Sequence, residues 1–178
     1  MDVWISIVIS VVSGIITGIF TGIITFWLIR CKKPKLEIAN SIAKYKINNK
    51  YVYCIKVVNK SKCYLYNLHY ELCLVNEIHW KDHKGDYDKI YDCKVLTFSK
   101  PMWNIMCPYS KKNTDFALRI STNEDLESLL SNNAGTFLTF CFTAFHGDSD
   151  SCKVYEKRYG ITQIQAGRYV CGSSFKIE

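Results

Sequence analysis

No charged side chain occurs between Val3 and Ile29, a run of 27 residues. That absence argues against a solvent-facing segment. A bilayer core needs about 20 apolar residues at 1.5 Å rise each, so the run is long enough to span with tilt. A basic residue is lacking ahead of the run, where only Met1 and Asp2 stand, and its far end is Phe26-Trp27-Leu28-Ile29 rather than small residues. A cleaved signal peptide is therefore not expected. Proline is scarce, at three, and 14% of the chain is aromatic, which argues against disorder. No C-x-x-C pair exists among the nine cysteines, and their number is odd. A secreted disulfide framework and a zinc ribbon are both disfavoured. Neither G-x-G-x-x-G nor G-x-S-x-G occurs, so the sequence offers no phosphate-cradling loop and no nucleophile elbow.

The uncharged run instead carries a four-residue repeat. Ser10, Gly14, Gly18 and Gly22 fall on one helical ridge, and Ser13, Thr17, Thr21 and Thr25 on the ridge beside it. Lipid does not drive helices together. Close backbone approach does, and two overlapping G-x-x-x-G units permit it. The glycine ridge is expected to associate with a second copy, giving a homo-oligomer. The hydroxyl ridge is expected to bond across helices or to its own backbone.

Arg30, Lys32, Lys33 and Lys35 follow the run at once, whereas Asp2 precedes it. Positive loops stay in the cytoplasm, so the N-terminus is expected outside and the remainder inside, with these cations against the membrane surface. Cys31 sits among them, where S-palmitoylation is conceivable but a spectator thiol is the simpler reading. Without the four cations and Asp2, 19 basic residues face 15 acidic ones. An excess of +4 does not point to a nucleic-acid polymer.

The organisation is an anchor over 1–29, a basic flank over 30–35 and one domain over 36–178. Pro34 stops the helix. Period-two patterning follows. Tyr51, Tyr53, Ile55 and Val57 alternate with Val52, Cys54, Lys56 and Val58. Residues 59–62 form a turn, and then Tyr64, Tyr66, Leu68, Tyr70, Leu72 and Leu74 share a face, predicting a half-buried antiparallel hairpin. Residues 77–89 read as a polar loop exposing Trp80. Its His79, Asp82, His83, Asp86 and Asp88 are not expected to bind metal, because Gly85 breaks helical spacing. Strands are expected at 90–98, 116–120, 152–159 and 168–177, an apolar loop at 101–108, and a short helix opened by Asn123-Glu124-Asp125, with Asn123 or Thr122 as its cap. Residues 136–145, apolar on both faces, predict a central strand buried on both sides. Cysteines within these runs read as free buried thiols. The class is all-β: one transmembrane helix plus an antiparallel sandwich of about seven to nine strands with one short helix.

Val57-Val58-Asn59-Lys60-Ser61 followed by Leu65-Tyr66-Asn67-Leu68 resembles the second hairpin of CARDB-type immunoglobulin-like sandwiches. Ser61 stands where that family more often has glycine, and Tyr66 where it has a small residue. The resemblance implies an immunoglobulin-like fold that binds or spaces, and it implies no catalytic residues.

Catalytic residue types cluster only at His146-Gly147-Asp148-Ser149-Asp150-Ser151-Cys152, which also reads as a hairpin turn. Neighbours on such a turn are not expected to face one another as a triad does. The expectation is a non-enzymatic membrane protein without cofactor or metal, its self-associating helix anchoring a cytoplasmic binding or adaptor domain. The partner is a protein or a small anionic ligand, with Arg119, Lys153, Arg158 and Arg168 as candidate contacts. Two alternatives stand beside it: a small membrane-bound enzyme, and a membrane-disrupting effector with a nucleotide-sensing domain. The second rests on a likeness of architecture to membrane effectors of bacterial antiphage signalling.

Overall fold

The computed structural model describes residues 2–30, 32–81, 87–99, 104–110, 114–131 and 135–178. Helix α1 (Asp2–Arg30) contains the uncharged run and contacts no core. Its segment Val3–Ile29 is long and apolar enough to cross a membrane, and none of it is buried by the rest of the chain. The remainder is mostly strand, in two sheets.

The first sheet is built on β3 (Lys50–Asn59), paired along one edge with β7 (Ala117–Thr122). Along its other edge lie β2 (Ile42–Ile47) and then β1 (Leu36–Ile38). Asn48 and Asn49, both with positive φ, form the two-residue turn from β2 to β3, which requires left-handed backbone at both positions. Strand β10 (Ile164–Ala166) adds to β2 in parallel, so the sandwich is not wholly antiparallel.

The second sheet is built on the 17-residue β4 (Leu65–Lys81). On one side lie β5 (Tyr87–Leu96) and the short β6 (Ile105–Met106). On the other lies β8 (Thr136–His146), followed by β9 (Cys152–Tyr159). The strands number ten among the described residues, more than the seven to nine expected.

Between the sheets, Tyr53, Ile55 and Val57 meet Leu68, Tyr70, Leu72, Phe140 and Phe142. Each such side chain taken from water is worth roughly 1.5–3 kcal/mol. Helix α2 (Leu126–Ser131) closes one end with Leu126 and Leu130, and Asp125 Oδ1 caps it by accepting from Ser128 N–H at 3.3 Å and from the Tyr53 hydroxyl at 2.9 Å. The cap is thus Asp125, rather than Thr122 or Asn123.

Several expectations need correction. β3 and β4 do not pair: the chain crosses from one sheet to the other over residues 60–64. Buried Asn59 fixes the crossing, accepting from Ser61 N–H at 2.7 Å and donating to Cys63 O at 3.1 Å and Cys107 O at 2.8 Å. Tyr64 and Tyr66 do not share the core face of Leu68. A bulge at Asn67, φ 47°, shifts the register and puts Leu65 in the core instead. Most of the predicted 77–89 loop is paired strand, from Ile78↔Ile90 to Lys81↔Tyr87. The outer face of β8 is half-exposed rather than buried.

Residues 168–178 join neither sheet. They fold back on themselves, with Arg168 N–H donating to Glu178 O at 2.7 Å and Glu178 N–H to Arg168 O at 2.9 Å, and they cover the outer face of the first sheet. Gly167, φ +129°, makes this possible, because a Cβ there would sit 2.6 Å from Glu178 O. Of the eight described cysteines, only Cys54 is buried. Cys31, Asp82, His83, Gly85, Asp86 and residues 101–103 lie outside the described residues, as do the side chains of Arg30, His79, Trp80 and Asp88.

Candidate functional site

The join between helix and sandwich has almost no free chain. Lys32 O accepts from the Ser149 and Ser151 hydroxyls, each at 2.6 Å. Lys35 N–H donates to Ser61 Oγ at 2.9 Å, and Lys60 N–H to Lys35 O at 2.8 Å. Pro34 is buried, its carbonyl accepting from the Tyr155 hydroxyl, which in turn accepts from Leu36 N–H at 3.1 Å. The flank is therefore built into the domain. Lys32 Nζ lies 3.4 Å from Asp148 Oδ2, whereas Lys33 and Lys35 are exposed.

The turn that receives the flank holds a set of reactive groups. The Cys63 thiol donates to Asp148 Oδ2 at 2.9 Å. That bond raises the thiol pKa, and with Lys32 it holds the Asp148 carboxyl below its ordinary range. His146 is buried, with Nδ1 3.2 Å from Ser149 Oγ. His146 and Ser149 thus meet on this turn as a pair rather than as a triad. Ser149 nonetheless directs its hydroxyl proton at the Lys32 carbonyl, whereas nucleophilic activation needs that proton on the base. Cys63 lies far from 146–152 in sequence, so no spacing rule linked it to them.

On the anchor, Gly14, Gly18 and Gly22 line a shallow groove with Thr17, Thr21 and Thr25. Ser10 and Thr17 donate to Ser6 O at 2.9 Å and Ser13 O at 2.8 Å, so these hydroxyls bond their own backbone.

The four candidate anion contacts separate into two pairs. Lys153 Nζ lies 4.6 Å over Tyr155, and Arg158 lies 5.1 Å over Phe137 and pairs with Glu156 at 3.1 Å, both on β9. Arg119 and Arg168 flank Tyr45 on the outer face of the first sheet, with Arg168 stacked 4.7 Å over its ring. Arg119 borders two concavities, the first reaching β6 of the second sheet and the second on that outer face. One, of about 310 Å³, is lined by Lys56, Met106, Asp115, Leu118 and Cys171, at the small end of ligand-sized cavities. The other, of about 490 Å³, is lined by Tyr45, Lys50, Val52 and Ser121. Arg119 Nη2 donates to Tyr169 O at 3.1 Å, fixing the guanidinium against the C-terminal segment.

Lys56 is fully buried, and Nζ donates to Val170 O and Ser174 O, each at 2.6 Å. Burial, followed by repulsion from Arg119, pulls its pKa down to about 8. Its signal in the sequence was a lone cation on an otherwise apolar strand face.

The chain matches no family model, and no curated protein shows significant similarity to it.

Proposed function

We propose that this chain is a non-enzymatic single-pass membrane protein, in which a self-associating helix holds a β-sandwich binding domain on the cytoplasmic side. We further propose that the domain takes a small anionic ligand at the Arg119 concavities. The reading is carried by the join: hydrogen bonds fix residues 32–36 of the flank to the sandwich. Such a coupling suits a domain whose ligand state is passed to the helix. Arg119, Lys56 and Lys50 supply cationic lining, and Tyr45 an aromatic wall.

Thermal denaturation of the full chain in detergent, with a panel of cyclic nucleotides and smaller phosphates, tests the ligand class. A binder present at about 100 times its Kd adds roughly 2.7 kcal/mol of stability. Arg119→Ala should remove that shift. If no anion stabilises the parent, the anionic ligand is wrong and a protein adaptor remains. A cyclic nucleotide among the binders favours the membrane-effector version of the reading.

The orientation rests on Arg30, Lys32, Lys33 and Lys35. A reporter that works only in the cytoplasm, fused after Glu178, should be active. Activity from an export-dependent reporter instead reverses the topology.

A further inference from the structure

We propose that Cys63, His146 and Asp148 form a binding site for a divalent transition metal of the zinc type, at the join between anchor and domain. One thiol sulfur, one imidazole nitrogen and one carboxylate oxygen lie within 4.8 Å of one another. Around a tetrahedral ion, with bonds of about 2.0–2.3 Å, such ligands stand roughly 3.3–3.6 Å apart. Small side-chain rotations close the difference. A mixed sulfur, nitrogen and oxygen set suits zinc or cobalt, whereas magnesium and calcium take oxygen alone.

The backbone presents these groups. His146 ends β8, 4% exposed, opposite Leu65 in the ladder. Gly147 N–H donates to Tyr64 O at 2.9 Å, which sets the turn directly against the residue after Cys63. A Cβ at Gly147 would lie 2.9 Å from that same oxygen, so this approach needs glycine. His146 N–H donates to Ser151 O, and Asp150 N–H to His146 O, each at 2.9 Å, closing the turn that projects Asp148 toward Cys63. Ser149 Oγ, 3.2 Å from Nδ1, orients the imidazole as outer partners of metal-binding histidines do. Three protein ligands leave a fourth position for water.

Binding is a coordination exchange with one proton released: the Cys63 S–H bond ionises, its proton goes to solvent, and thiolate, imidazole and carboxylate donate to the ion. The thiol's hydrogen bond to Asp148 is lost in the exchange. Lys32, now 3.4 Å from that carboxylate, becomes a competitor of the ion. Occupancy is thereby linked to the residue that joins the helix to the domain.

Cobalt(II) added to the full chain in detergent, with thiols kept reduced by a phosphine, provides the probe. The parent should bind one equivalent with a thiolate-to-cobalt charge-transfer band, displaced by zinc(II). Cys63→Ser should abolish the band. Asp148→Asn, at an exposed position, should weaken binding with an unchanged circular dichroism spectrum. Cys171→Ser, in the C-terminal segment over the outer face of the first sheet, should leave it intact. Lys32→Ala should tighten binding by about fivefold, from removal of one near cation. A missing band overturns the site, as does a band that survives Cys63→Ser or affinity indifferent to both Asp148→Asn and Lys32→Ala.

Discussion

Gly18→Leu should separate the anchors in the membrane, and Ile19→Leu should leave them associated. The groove along Gly14, Gly18 and Gly22 is open: a Cβ at any of the three meets nothing within 4 Å. A leucine there clashes with nothing in its own chain, so its cost falls on a second helix. Four residues turn a helix by about 400°, so the ridge drifts slowly around the axis. A partner packed along it crosses right-handed at about −40°, with the backbones close. Filling the centre of such a seam should lower association by about tenfold or more. Ile19 points elsewhere and is 57% exposed in the single chain. Crosslinking of the full chain in membranes, with both variants beside the parent, makes the comparison. Equal association in all three removes the ridge as the interface.

Between pH 8 and 10 the parent should gain stability relative to Lys56→Met. The folded chain holds Lys56 near a pKa of about 8, against 10.5 for the free side chain. Below pH 8 both states carry the proton, and the folded state bears the full cost of a buried ammonium. Above pH 8 the folded chain releases a proton that the unfolded chain keeps, so stability increases toward 10.5. The gain between pH 8 and 10 is roughly 2 kcal/mol. The neutral amine still has N–H groups for Val170 O and Ser174 O, so the C-terminal segment stays docked. The Cys63, Cys73 and Cys141 thiols and the buried Tyr53, Tyr159 and Tyr169 hydroxyls have raised pKa values, so unfolding ionises the thiols from about pH 9 and the phenols above 10; both oppose the trend equally in parent and variant. Urea titrations at pH 7, 8, 9 and 10 measure the slope. A parent curve parallel to that of Lys56→Met would show that the ammonium is solvated.

The legible parts of this fold were those set by length or period. A run without charge reports its own span, so α1 was plain. The alternation of Tyr53, Ile55 and Val57 with Val52, Cys54, Lys56 and Val58 marked β3 as a strand, without saying which face meets the second sheet. The face of β4 was misread before Leu68 because one residue, Asn67, takes φ 47° and inverts the parity behind it. A period of two cannot reveal an inserted residue. The polar residues 59–62 looked like a hairpin turn, but a crossing between sheets needs the same kinds of side chain. What separates the two is the burial of Asn59 and its bonds to Cys63 and Cys107, which are long-range facts. Arg119 was picked out as a cation, yet its neighbour Lys56 matters as much to the cavity. Cys63 and Asp148 stand 85 residues apart, so only the folded chain brings thiol and carboxylate together.

The join has a consequence for any pair of associated anchors. A flexible linker would let two domains wander, and their effective concentration would fall as it lengthened. Here the chain from Lys32 onward is already hydrogen-bonded to the sandwich, so the wandering is largely removed. If the anchors associate, two domains held this way meet at local concentrations of order millimolar. Contacts far too weak to pair free domains in solution would then be occupied most of the time. A small change at the foot of the sandwich, where Lys32 meets Asp148, would act on both copies of such a pair at once.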